Sequence, residues 1–127
     1  MEYSIKNNIL LNVNEKRLDG IFPLLYCFQN KNIERTQLLI KYVNENSIIL
    51  NINDKNNTGD NPILMACQRN HFNTVLLLIE YANNHNITLD INETNTNGYY
   101  PLNRAIFNNN TEKVILLIEY GNKITLS

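Results

Sequence analysis

The chain repeats its own landmark residues at a constant spacing of 39 positions. The repeated landmarks are Gly20, Gly59 and Gly98, then Pro23, Pro62 and Pro101, then Tyr3, Tyr42, Tyr81 and Tyr120. Self-similarity at a single period of this size is the sequence signature of a solenoid, in which each unit stacks on its neighbours. The chain is therefore predicted to be one repeat array without a central globular core.

The repeat pattern divides residues 1–127 into a partial unit and three further units. The partial unit covers 1–19, and the first, central and third units cover 20–58, 59–97 and 98–127. The pattern begins inside a unit, so we expect the chain to be a fragment of a longer array.

Each unit contains the same series of local signals. An alternating segment such as Ile48, Leu50 and Ile52 predicts an extended strand with one buried face. A polar turn follows and ends at the repeated glycine, which supplies the positive φ that a tight turn needs. The proline three residues later favours the first turn of a helix. First helices are thus predicted at about 23–30, 62–69 and 101–108.

A second helix is predicted in each unit, beginning near residues 33, 72 and 111. In the central unit, Phe72, Val75, Leu78 and Ile79 draw an apolar stripe along this helix. The turns between the helices centre on positions 31, 70 and 109, and the last two are Asn, which tolerates the left-handed conformation. Asn32 and Asn110 are suitable N-caps.

These residues resemble the ankyrin repeat family. Matches to the family pattern in the central unit are Gly59, Pro62, Ala66, Leu77-Leu78 and Ile91-Asn92. The resemblance covers nearly the whole chain in three registers. It implies an all-α, ankyrin-like solenoid of helix-turn-helix repeats with short extended fingers.

The units depart from the family pattern in length and at two positions. The usual unit has about 33 residues, and the extra residues here fall at about 44–49 and 83–88. Val43 and Ala82 stand where a glycine usually ends the second helix, so that helix is expected to be longer, whereas Gly121 keeps the stop. Asn61 replaces the family's Thr, and we expect apolar contact to replace the hydrogen bonds of Thr with His.

Composition and charge exclude several functions. The formal net charge is −1, and the basic residues are scattered, so nucleic acid is not an expected partner. Aliphatic runs are too short to span a bilayer, and no signal peptide opens the chain. The sequence thus predicts a soluble protein without membrane contact, located inside the cell and most simply in the cytoplasm.

No constellation of residues predicts catalysis, a cofactor or a metal. Cys27 and Cys67 are interpreted as reduced, small core residues. Cys67 and His71 are four residues apart, but the predicted turn at Asn70 separates them and no third group orients the imidazole. His85 is expected to be solvated in the inserted loop. The chain is therefore predicted not to be an enzyme.

The ankyrin resemblance implies a protein–protein interaction module that binds a protein on the surface of finger tips and first helices. Candidate partner-binding residues are Tyr99, Arg69, Phe107, Leu18, Ile21, Asp60 and Gln68. Tyr99 and Arg69 rank first because Tyr and Arg are enriched at binding hot spots, although each candidate could equally be an ordinary solvated residue. Lys113 is expected to be a silent control position on the opposite face. The alternative function is a structural spacer in a longer solenoid, without a dedicated partner.

The ends of the array are expected to be adhesive. Natural arrays close with units that have a polar outer face, whereas Leu24 and Leu25 here are expected to lack a neighbour. End-to-end self-association between copies would follow.

Overall fold

The computed structural model describes residues 9–29 and 32–126, and its helices come in pairs. The helices are α1 (Pro23–Tyr26), α2 (Glu34–Glu45), α3 (Pro62–Gln68), α4 (Phe72–Asn84), α5 (Pro101–Phe107) and α6 (Thr111–Leu126). A 3₁₀ turn over Cys27–Gln29 continues α1. First helices α1, α3 and α5 contact one another in sequence order, and so do the second helices α2, α4 and α6. This two-layer arrangement confirms the predicted all-α solenoid.

Prolines begin the first helices as predicted, and the cap of α3 is polar. The Asn61 side chain accepts a hydrogen bond from the Leu64 N–H at 3.0 Å and donates one to the Asp90 carbonyl at 3.1 Å. Asn61 therefore satisfies a free N–H of the first turn and ties the start of α3 to the end of the same unit. The expectation that apolar contact alone replaces the family's hydrogen bonds is wrong for this unit.

Left-handed residues end the helices. Asn70 and Asn109 have φ values of 59° and 56°, which confirms two of the predicted turns, whereas the turn at Lys31 lies outside the described residues. Ser47 and Asn86 also have positive φ and end α2 and α4, which the sequence did not predict. The N–H of the residue after each left-handed residue donates to the carbonyl five residues earlier in the helix. This 6→1 hydrogen bond satisfies a carbonyl at the end of the helix.

The second helices are longer than in a 33-residue unit. Helices α2 and α4 continue beyond Val43 and Ala82, as expected. The predicted stop at Gly121 is wrong, because α6 continues through this glycine to Leu126. A glycine inside a helix costs about 1 kcal/mol relative to alanine, and Ile124 packs against the core in the added turn. Partial burial of Ile124 favours the added turn over a stop at Gly121.

The alternating segments around Leu50 and Leu89 are buried on one face as predicted, whereas in the earliest segment Ile9 and Leu11 are exposed and only Val13 is buried. None of the three segments forms a strand in the described part of the chain. Leu50 and Leu89 are buried, and the hydroxyls of Tyr81 and Tyr120 accept hydrogen bonds from their N–H groups, each at 2.9 Å. Leu11 donates to Tyr42 in the same way. The hydroxyl of a tyrosine in one unit thus accepts a hydrogen bond from a backbone N–H in the connecting segment of the preceding unit.

Asparagine side chains bind the same segments from the other side. The amide of Asn14 donates to the Ile49 carbonyl and accepts from the Asn51 N–H, both at 2.9 Å. Asn53 makes the equivalent pair of bonds to Thr88 and Asp90 in the next unit, at 2.8 and 3.0 Å. These side-chain bonds replace a sheet ladder.

The core is continuous across the units. Ile63, Ala66 and Val75 have no exposed surface, since the central unit has a neighbour on each side. Leu24 and Leu25 are also buried, in one cluster with Val13, Phe22 and Phe28. The expectation that these two leucines lack a neighbour is therefore wrong.

Gly20 and Gly98 provide a matched test of the contact between finger turns. Both have positive φ, but a Cβ at Gly20 would lie 2.6 Å from the Asn57 nitrogen, whereas one at Gly98 would meet nothing within 4 Å. Gly98→Ala should lower the free energy of unfolding by about 1 to 2 kcal/mol, the usual cost of a left-handed alanine. Gly20→Ala should lower it further in urea titrations. Equal losses would contradict the close contact between the turns.

Candidate functional site

The finger tips and first helices carry different side chains at equivalent positions of the three units. The residue after the finger glycine is Ile21, Asp60 or Tyr99, and the fourth helical residue is Tyr26, Met65 or Arg104. The last helical residue is Gln29, Gln68 or Phe107. The backbone is repeated, so the units differ mainly in the side chains that they carry at these positions.

In the third unit, Tyr99, Arg104 and Phe107 form one contact group, which we name the Arg104 stack. The guanidinium carbon of Arg104 lies 4.4 Å from the ring centroid of Tyr99 and 4.6 Å from that of Phe107. Both distances are within the range of a cation–π interaction. Helix α5 brings Arg104 and Phe107 together because residues three apart share a helix face. The structure thus unites two predicted residues through a third, Arg104, that sequence reasoning missed.

The Arg104 stack is exposed and incompletely hydrogen-bonded. Phe107 is 73% exposed and Tyr99 is 39% exposed, and the adjacent Ile106 is exposed as well. The Nε of Arg104 is buried and has no hydrogen-bond partner. Among the described residues, no carboxylate forms an ion pair with Arg104. The buried Nε is closed to a partner, so any hydrogen bond from Arg104 to a partner uses the terminal nitrogens of its guanidinium.

In the central unit, Asp60 is the centre of a polar network. Its Oδ1 accepts from the amides of Gln68 at 3.2 Å and Asn95 at 2.8 Å, and its Oδ2 accepts from the Thr58 hydroxyl at 3.2 Å. Asn95 also accepts from the Tyr99 N–H at 3.0 Å, which connects this network to the Arg104 stack. Asp60 and Gln68 are thus half-buried residues that orient neighbouring fingers.

The first finger, 17–21, takes part in a second cation–aromatic contact, with the Arg17 guanidinium carbon 5.7 Å from the ring centroid of Tyr26. The Arg17 guanidinium hydrogen-bonds to the Tyr26 hydroxyl and forms an ion pair with Asp19 at 3.3 Å. Leu18 is fully exposed at the finger tip, whereas Ile21 is half-buried and packs against the core. Of the two predicted residues in this finger, only Leu18 has its whole side chain exposed.

Arg69 lies apart from these groups. It is the C-cap of α3 and is exposed, and it forms no ion pair with the residues that the structure describes. Its counterpart in the third unit, Asn108, instead donates to the Cys67 carbonyl at 2.7 Å. The side chain of Arg69 is therefore available at the end of the central first helix.

Lys113 is not an exposed control position. It has no exposed surface, and its Nζ donates to the carbonyls of Cys67 at 3.3 Å and Ala66 at 3.5 Å. A cationic side chain at the C-terminal carbonyls of a helix complements the helix dipole. Lys113 of α6 therefore fastens the third unit to the end of α3, so it is not suitable as a control position for binding.

Lys113→Ala is expected to destabilise the protein. Removing a charged hydrogen-bond donor should lower the free energy of unfolding by about 1.5 to 3 kcal/mol. Lys123→Ala is the matched control on the same helix, because Lys123 is exposed, and a surface change of this kind stays within about 0.5 kcal/mol. Chemical denaturation measures both variants. A stability loss at Lys123 as large as that at Lys113 would contradict this structural role.

Cys67 is buried in the core, and Cys27 is half-buried against it. Burial raises the pKa of the Cys67 thiol to about 12, and the positive charge of Lys113 offsets only part of that rise. Burial also raises the pKa of Cys27. A thiol that stays protonated at neutral pH is a weak nucleophile. Cys67 is therefore a packing residue, as predicted from its type and position.

Stacked helix pairs joined by finger loops define a helical repeat protein. The family model for ankyrin repeats (3 copies) matches residues 2–88 and 46–127, and the chain belongs to the ankyrin repeat family. The search of curated proteins found no match. No helix within the described residues has both the length and the apolar character to cross a membrane, and no group of three or more His, Cys, Asp or Glu residues there could hold a metal ion.

Proposed function

We propose that this chain is a non-enzymatic protein–protein interaction module whose partner binds the finger tips and first helices. Ankyrin repeats are generally protein interaction modules. The observation that supports this surface is the Arg104 stack, which exposes a Phe, a Tyr and an Arg together. Tyr and Arg are enriched among residues that dominate binding energy, and an exposed aromatic group often marks an interaction site.

The differences between units favour a binding module over a structural spacer. A spacer requires only the contacts that stack the units, so its outward positions can be interchangeable. Here Ile21, Asp60 and Tyr99 occupy equivalent positions, and only Tyr99 belongs to an exposed cation–aromatic group. The third unit thus has a divergent patch on a repeated backbone, which a dedicated partner explains better.

The predicted residues take different roles in this proposal. Tyr99 and Phe107 form the centre of the interface, and Arg69 extends it along the central first helix. Leu18 provides an apolar contact at the first finger, and Ile21 supports it from the core. Asp60 and Gln68 hold the fingers in position and affect binding through their network. The centre of the interface is therefore in the third unit.

We also propose an intracellular, cytoplasmic location for the module. Cys27 and Cys67 are free thiols in the structure. Free thiols persist in reducing compartments, which supports this location.

Alanine substitutions test the proposed surface once a partner has been captured from the source cell. Tyr99→Ala and Arg69→Ala should each weaken binding by more than about 1 kcal/mol, because they remove hot-spot side chains. Phe107→Ala is expected to act in the same direction. Isothermal titration calorimetry measures the affinities, and thermal unfolding checks that the variants are folded.

Ile115→Ala is the matched control for these variants. Ile115 is a half-exposed apolar residue on α6, in the second-helix layer, and its truncation should leave the affinity unchanged. A control that weakens binding while Tyr99→Ala and Arg69→Ala bind normally would contradict the proposed surface. The extra segments at 44–49 and 83–88 would then be tested next.

A second proposal is end-to-end association between copies of this chain. A cavity of about 290 Å³ is lined by Ile91, Leu102 and Ile118 at the end of the third unit. Ile118 is half-exposed, whereas its counterpart Ile79 packs against the core beside the next unit. Leu10 and Leu11 are exposed at the opposite end. These two apolar ends support head-to-tail contact, which need not close into a ring.

Light scattering over a range of protein concentrations tests this association. The mean mass should rise with concentration, and Ile118→Asp should abolish the rise because it places a charge in an apolar contact. Lys123→Asp, which adds an acidic residue at an exposed position of the same helix, is the control. A constant monomer mass for the unmodified chain would exclude end-to-end contact.

A further inference from the structure

We infer that the Arg104 stack binds a carboxylate side chain of the partner protein, flanked in that partner by aliphatic or aromatic residues. This inference rests on the proposed interaction function and adds the chemistry of the bound segment. It concerns Arg104, which sequence reasoning did not select, together with Tyr99, Phe107 and Ile106.

The unused donors of Arg104 are the first argument. Its guanidinium is packed against two rings, and no described carboxylate pairs with it. A guanidinium is always protonated and presents its N–H groups in a planar fork that matches a carboxylate. The partner that this guanidinium lacks is therefore a group with two anionic oxygens, such as a carboxylate.

The rings prepare Arg104 for such a contact. A long arginine side chain loses rotamer freedom when it is immobilised by a ligand. Contact with Tyr99 and Phe107, at 4.4 and 4.6 Å, restricts the guanidinium before a partner arrives. Part of the ordering cost is thus met in the free protein.

The surroundings indicate apolar neighbours for the bound carboxylate. Phe107 is 73% exposed and Ile106 is 58% exposed, so apolar surface lies beside the cation. Apolar contact around a polar pair excludes water, and exclusion of water strengthens the charge interaction. A partner segment with an acidic residue next to Leu, Ile, Met or Phe fits both requirements.

The charge around the stack favours a carboxylate over a phosphate. Sites for phosphorylated segments use clusters of arginines, and Arg104 is the only basic residue of α5 and its finger, 95–107. Asp60 is also nearby, since Asn95 binds the Asp60 carboxylate at 2.8 Å and the Tyr99 N–H at 3.0 Å. A nearby carboxylate repels a dianion more strongly than a single negative charge.

The test uses random 12-residue peptides displayed on phage and selected against the whole 127-residue chain. Sequences in which Asp or Glu is adjacent to an apolar residue should be enriched. The strongest peptide is then synthesised with blocked ends, and its affinity is measured by fluorescence anisotropy. Replacing its acidic residue by Gln or Asn should weaken binding by about ten- to a hundredfold, the usual effect of losing a charged hydrogen bond. This arm requires no variant of the protein.

Protein variants assign the effect to Arg104. Arg104→Gln should lower the affinity for the acidic peptide by a similar factor. Arg104→Lys should retain only part of the affinity of the unmodified chain, because lysine lacks the planar fork. The acidic peptide and its Gln form should bind Arg104→Gln equally well. Lys41→Gln is the control, since Lys41 is an exposed cation on the second-helix layer, and it should leave binding unchanged.

The outcomes separate this inference from the proposed function. In one outcome, Tyr99→Ala lowers the affinity of the selected peptides while these peptides show no preference for an acidic residue and Arg104→Gln leaves their affinity unchanged. In that case the carboxylate assignment is wrong and the proposed binding surface stands. A peptide with phosphoserine that binds more tightly than its Glu counterpart would also overturn the assignment. If Tyr99→Ala, Phe107→Ala and Arg104→Gln are all silent toward every selected peptide, the proposed surface itself fails.

Discussion

Burial of apolar side chains between neighbouring units is the interaction on which the structure depends. A single helix pair cannot cover its own apolar face, and α3 is buried from Pro62 to Cys67 because α1 and α5 lie on its two sides. Stacking also buries the N–H groups of Leu50 and Leu89 in the segments that connect the units, and buried backbone groups need partners. The hydroxyls of Tyr81 and Tyr120 supply them, and the amides of Asn14 and Asn53 bind exposed backbone groups of the same segments. Apolar stacking and these polar bonds therefore require each other.

The stacking contacts leave the outward positions of the fingers and first helices free to differ. Met65 and Arg104 occupy equivalent positions, yet Met65 is buried and Arg104 lies against two exposed rings. A rigid repeated scaffold that displays variable side chains is a common arrangement for binding proteins. The proposed interface follows this division, because the residues that stack the units are separate from those proposed to contact a partner.

Sequence reasoning identified two of the three residues of the Arg104 stack, and it assigned Lys113 to a control position that the structure does not support. Tyr99 and Phe107 were selected because their positions in the repeat predict exposure, and both are exposed. Arg104 was missed because its contact with Tyr99 depends on how the finger folds back on α5. Lys113 is on the second helix, which the repeat pattern assigns to the opposite face, but its long side chain reaches the carbonyls at the end of α3. A repeat pattern assigns positions to faces, and it does not describe how far a side chain extends.

The sequence by itself determined the repeat, the order of the helices, their proline starts, and the left-handed turns at Gly20, Gly59, Asn70 and Asn109. These features follow from backbone preferences within a few residues, which the local residue types encode. The tertiary structure decided the continuation of α6 through Gly121 and the burial of Leu24 and Lys113. It also decided which side chains satisfy the connecting segments. The hydrogen bonds involved join residues 31 to 47 positions apart in the chain. Local conformational preference carries no information on contacts between residues so far apart in the sequence.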